Sequence, residues 1–114
     1  MAKANFIKDC PKSYINIQAI ERVYIEDGFI IVGFDSGEER VLKNIVRPDA
    51  FLKHYFRQNQ DFIKSPVSTE FLRLSSIREV EVKDKDTTLI FHLRSDKKIS
   101  WVNIPDAEKF ISKL

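Results

Sequence analysis

The chain is poor in the residues that usually announce chemistry: one cysteine, three glycines, one tryptophan and one methionine among 114 residues. A lone Cys10 excludes an intrachain disulfide and any cysteine pair at metal-binding spacing, and it points to a reducing compartment. Gly28, Gly33 and Gly37 stand singly in or beside expected hairpins, so there is no glycine-rich loop to cradle phosphate. The opening M-A-K-A-N-F-I-K-D-C-P lacks the apolar centre of a secretory signal, and no apolar run is long enough to span a bilayer. These absences predict a cytoplasmic protein with no membrane contact, no cofactor and no metal site. The Lys-, Ile- and Phe-rich style is read as bacterial.

Strong charge of one sign is missing too. Nineteen basic and seventeen acidic residues leave a net +2, and dividing the chain after Arg57 leaves +1 on each half, so no basic tail advertises a polyanion partner. The hydrophobic share of 43% and charged share of 32% fit a folded globular chain, and the length suits one domain over residues 1–114.

What is present is an internal repeat. Y-I-N-I-Q-A-I-E-R-V-Y-I-E-D from Tyr14 and F-L-R-L-S-S-I-R-E-V-E-V-K-D from Phe71 align at a shift of 57, which also brings Pro48-Asp49-Ala50 onto Pro105-Asp106-Ala107. In the first copy, period-two patterning predicts strands at Tyr14 to Ile17 and Arg22 to Asp27, the β-branched and aromatic run Phe29 to Asp35 predicts a third, and Glu38 to Ile45 returns as a fourth. Turns are expected at Asp27-Gly28 and Ser36-Gly37. Pro48 opens a helix whose stripe of Phe51, Leu52, Tyr55 and Phe56 continues through Phe62 and Ile63 to about Lys64. The second copy repeats this with strands at Phe71 to Leu74, Arg78 to Lys83, Thr87 to Arg94 and Lys97 to Val102, then a helix from Pro105. The expected fold is α+β, a tandem pseudo-twofold repeat of a four-stranded antiparallel sheet followed by one helix. Its parts are an irregular leader (1–13), repeat one (14–57), a joint (58–68) and repeat two (69–114).

Catalytic candidates are few. G-F-D-S-G, from Gly33, places its serine one position too late for a hydrolase nucleophile loop and sits in a hairpin. His54, His92 and Cys10 have no sequence partner that marks a base or ligand, so each is read as an ordinary residue and the chain as non-enzymatic. The more pointed candidates are outward strand positions: Tyr14, Arg22, Tyr24, Arg73, Arg94 and Lys98 interleave rings with cations, as a single-stranded nucleic acid requires. Glu26, Glu79 and Glu81 share those faces and repel phosphate. Phe62, Ile63 and Trp101 are candidate contact residues for a protein partner or a second copy of the chain.

The phrase I-x-x-V-x-I-E-D-G-F-I-I-V, from Ile20, resembles the opening strands of LytTR-type DNA-binding domains, and the resemblance implies DNA binding. The basic, histidine-containing segment that follows in that family is absent. The duplicated plan also resembles, in topology alone, PUR-repeat and Whirly-like single-strand binders. Family membership does not follow from either likeness. The expectation drawn is therefore a non-enzymatic protein-binding module or homodimer acting through a sheet face or edge, with single-stranded nucleic-acid binding as its alternative.

Overall fold

Alternation of apolar and polar residues over Ile20–Glu26 (β3) and a β-branched, aromatic run over Phe29–Phe34 (β4) produce two paired antiparallel strands. Asp27 and Gly28 join them, both left-handed at φ 52° and 81°, as a two-residue hairpin of matching twist requires. The computed structural model describes residues 6–10 and 12–114, so the expectations for residues 1–5 and Pro11, and for the Cys10 side chain, lie outside the described residues. The protein is mixed α/β and mostly β, with several antiparallel sheets.

Three sheets form. Phe6–Cys10 (β1) and Ser13–Asn16 (β2) make a two-stranded ribbon. Glu39–Leu42 (β5), β4, β3, Phe71–Arg73 (β7) and Phe62–Lys64 (β6) follow one another in a five-stranded sheet. Lys98–Trp101 (β10), Thr88–Leu93 (β9) and Ile77–Lys83 (β8) make a three-stranded one. Pro48–Leu52 (α1) runs on through a π-helical turn at Lys53–Arg57, and Ala107–Ser112 (α2) lies near the C-terminus.

The middle sheet is covered on both faces. Ile7, Ile15, Val23, Val32, Phe56, Phe62 and Phe71 pack into one apolar cluster. Ile63, Leu72, Leu89, Phe91, Trp101 and Ala107 pack into a second. Neighbouring residues of β6 and β7 thus enter different cores, Phe62 and Phe71 on one side, Ile63 and Leu72 on the other. Successive strand side chains point to opposite faces, so a strand buried on both reads as an unbroken apolar run.

Several expectations need correcting. Neither copy's four strands form one sheet. The strand at Tyr14 pairs with β1, inside the supposedly irregular leader, and the strand at Phe71 joins the first copy's sheet beside β3. The 3-10 turns at Ile17–Ala19 and Leu74–Ser76 redirect the chain between the first and second strand of each copy, which separates the two strands. The first helix ends at Arg57 rather than near Lys64. There Asn59 N–H donates to Phe56 O (3.1 Å), and Asn59 Oδ1 accepts from Asp61 N (3.0 Å), a side-chain turn that competes with the helix. Phe62 and Ile63 consequently lie in a strand within the joint. The halves do share element order, and they share a bond from the end of the third strand to the 3-10 turn: Asp35 N to Ala19 O (2.9 Å) and Arg94 N to Ser76 O (2.8 Å).

Helix α2 has no side-chain cap of its own. The β8–β9 turn supplies one: Asp86 Oδ1 accepts from Glu108 N (2.7 Å) and Asp86 O from Ala107 N (3.1 Å). Asp84, Lys85 and Asp86 are all left-handed there, with φ of 56°, 55° and 71°. That conformation is unfavourable for residues with a Cβ, and docking of α2 holds it in place.

Candidate nucleic-acid interface

The π-helical turn continues α1 because Leu52 and Phe56 are buried four residues apart on one side, with Phe56 set edge-on to Phe62 (centroids 4.9 Å). Tyr55 lies against Phe51 at 4.8 Å and closes the same face. Anchoring that face leaves Lys53, His54 and Arg57 exposed on the opposite one. Lys43 and Arg47, on the approach to the helix, are exposed as well. Residues 43–64 carry five cations against Asp49 and Asp61, a net +3 in a chain whose total is +2. The chain's positive excess is therefore concentrated here.

Among the described residues, Lys43, Arg47, Lys53 and Arg57 have no carboxylate within ion-pair distance. Asp61 is turned to Arg73 at 3.8 Å. Burial first, and then the neighbouring Arg57 charge, push the Lys64 ammonium below the usual lysine range. Two cations so placed favour a bound anion. Lys64 also fastens the β6–β7 loop, donating to Ser65 O (2.8 Å) and to Ser68 O.

The six strand residues chosen from the sequence do not share a surface. Tyr14 is exposed on the two-stranded ribbon, Arg22 and Tyr24 lie on the five-stranded sheet, and Arg94 and Lys98 are exposed on or beside the three-stranded one. Arg94 Nε donates to Ser75 O at 2.8 Å. Arg73 corrects the expectation outright: it is buried, not outward. Its guanidinium donates to Ile20 O (2.8 Å) and Ile17 O, carbonyls at the 3-10 turn of the first half, and lies 4.6 Å from the Phe62 ring centre. Burial depresses its pKa. Phe62, Ile63 and Trp101, the proposed contact residues, are all core residues, 7%, 6% and 3% exposed.

Arg22, Tyr24 and Trp101 do meet, around a residue that sequence reasoning passed over. Glu70, 6% exposed, accepts from Arg22 Nε through Oε2 (2.6 Å) and from Trp101 Nε1 through Oε1 (2.7 Å). Arg22 stacks on Tyr24, 4.5 Å from its ring centre, and reaches Glu39 at 3.6 Å. Gly33, opposite Arg22 in the β3–β4 ladder, makes room for this: a Cβ there would lie 2.7 Å from Arg22 Cγ. The group bridges the five-stranded and three-stranded sheets and floors a cleft of about 530 Å³ between them. At another point of that seam Glu21 is buried, its Oε2 accepting from Ser95 Oγ (2.8 Å) and its Oε1 unpartnered; burial raises its pKa.

The histidines are engaged separately. His54 is exposed with its ring edge-on to Tyr55 (4.6 Å), while His92 bonds Glu81 and thereby lowers that carboxyl's pKa. Lys53 and Arg57 were missed because charge was counted by halves, and His54 was weighed only as a catalytic candidate. A count over residues 43–64, set against the apolar stripe, is the signal that finds them.

Comparison with known proteins places the fold. Family models and curated sequences offer no match. Among solved structures, a Bacillus cereus chain described as the LytTr DNA-binding domain of a methyl-accepting/DNA response regulator superposes with a TM-score of 0.67. It covers 96% of this chain and 95% of its own length at 10% identity, so the fold is shared. The expectation of a protein-binding module is corrected by this finding: a neighbour that shares the fold end to end is described as a DNA-binding domain.

Proposed function

We propose that this chain is a non-enzymatic module that binds double-stranded DNA, with the outward face of α1 and its π-helical turn contacting phosphates. The observation that carries the reading is the excess of +3 over residues 43–64, displayed on a fold shared with a DNA-binding domain. Lys53, His54 and Arg57 supply the helical contacts, and Lys43, Arg47 and Lys64 flank them. A duplex is favoured over a single strand because Tyr14 and Tyr24 lie on different sheets, which leaves no continuous platform for stacked bases. A cytoplasmic location agrees with this reading. We also read the chain as one folding unit with duplicated halves, supported by the recurring element order and the paired bonds to the 3-10 turns.

Fluorescence anisotropy of a labelled duplex tests the proposal. Retention at low salt should fall steeply as salt rises, and Lys53→Glu with Arg57→Glu should weaken binding by about a hundredfold or more. A duplex that is not retained at low salt, or is bound equally by the doubly reversed variant, overturns it. A labelled single strand in the same titration separates the two nucleic-acid readings.

A further inference from the structure

The cleft between the five-stranded and three-stranded sheets has a floor already neutralised. Arg22, the one cation lining it, is matched by Glu70, which also receives the Trp101 indole. An anionic ligand finds no spare positive charge there, and a cationic one finds no spare carboxylate. The walls are Val67 and Val102, 43% and 50% exposed at the mouth, with the Arg22–Tyr24 stack alongside. Tyr24, Ser100 and Asn103 also line it, and among the described residues their side-chain hydroxyl and amide groups make no hydrogen bond. A volume near 530 Å³ is in the ordinary range for small-molecule sites.

The β6–β7 loop forming one lip is held on several sides. Lys64 grips two of its carbonyls, Ser65 N donates to Glu70 O (2.8 Å), and Thr69 Oγ1 accepts from Ile25 N (3.0 Å). The opening is thus built before any ligand arrives, which lowers the ordering cost of binding.

We infer that this cleft is a binding site for a neutral, planar heteroaromatic ring with hydrogen-bonding groups on its edge, the chemistry of a nucleobase. The neutral floor selects for zero charge, the aromatic and valine surfaces for a flat apolar face, and the free Tyr24, Ser100 and Asn103 groups for polar edges. The ring could arrive as a free nucleoside or as an unstacked base of a nucleic acid. The inference stands apart from the phosphate-binding helix face and does not depend on it.

The test is a two-dimensional amide NMR titration of the full chain, in which Trp101, the sole tryptophan, gives one indole N–H signal at the floor. Adenosine and thymidine are the probes, with inorganic phosphate as the anion probe. Saturable shifts at the Trp101 indole, Thr69 and Asn103 with a nucleoside, and none with phosphate, support the inference. Val102→Arg, at an exposed position, should fill the mouth and abolish those shifts. Asn103→Gly, which accepts the left-handed backbone (φ 59°), should weaken binding about tenfold by deleting one edge contact. A single-stranded oligonucleotide that shifts the same signals when nucleosides do not assigns the ring to nucleic acid. No cleft shifts with any of these probes, shifts that persist in Val102→Arg, or shifts produced by phosphate would each overturn the site. Lys53→Glu with Arg57→Glu leaves nucleoside binding intact, so failure of the DNA reading and failure of this one are distinguishable.

Discussion

Single side chains at the seam carry consequences out of proportion to their number. Removing Glu70 strands Arg22 in a half-buried site and leaves the Trp101 N–H unpaired, so Glu70→Ala should cost about 3–5 kcal/mol in urea unfolding. Gly33→Ala should displace the Arg22 stem from the seam and lower stability in urea unfolding. Glu21 behaves oppositely to an ordinary surface carboxylate. Its folded pKa is raised above 4.5 by burial, so its contribution to stability is full at low pH and lost as pH rises through the folded value. Glu21→Gln should therefore flatten the decline in melting temperature that sets in as pH rises above the ordinary glutamate range. None of these roles was visible along the chain. Glu70 meets Arg22 across 48 residues, and Arg73 finds its carbonyl partners 53 and 56 residues earlier; a sequence shows the charge but not what will surround it.

Among elements, what could be read was whatever local chemistry determines. Asp27-Gly28 announced a hairpin, and the alternation of β3 and β8 together with the apolar, β-branched and aromatic runs of β4 and β9 announced strands of six or seven residues. Strand β6 has three residues, too few for a period, and exists by pairing with β7; β7 itself was expected from Phe71, but its place beside β3 in the other half's sheet was not. The stripe that ran on into Phe62 and Ile63 was helical in spacing but was broken by the Asn59 turn. The helix face makes its own prediction. Each charge neutralised at Lys53 or Arg57 should lower the salt slope of duplex binding by about 1, whereas Arg94→Gln should leave that slope nearly unchanged.

At the scale of the molecule, the long dimension is 47 Å. At 3.4 Å per base pair, one chain lying along a duplex should protect no more than about 14 base pairs from cleavage. The duplication in the sequence announced two similar segments, yet their sheets joined unequally because the second copy's first strand completes the edge of β3. That strand, β7, sends Phe71 into one apolar cluster and Leu72 into the other. A mechanical tie of this kind has a kinetic signature: neither side can open while it remains in place. Deuterium should enter the amides of Phe71 to Arg73 last of all, on the timescale of global unfolding, and a proline at Leu72 should loosen distant Ile15 and distant Phe91 together.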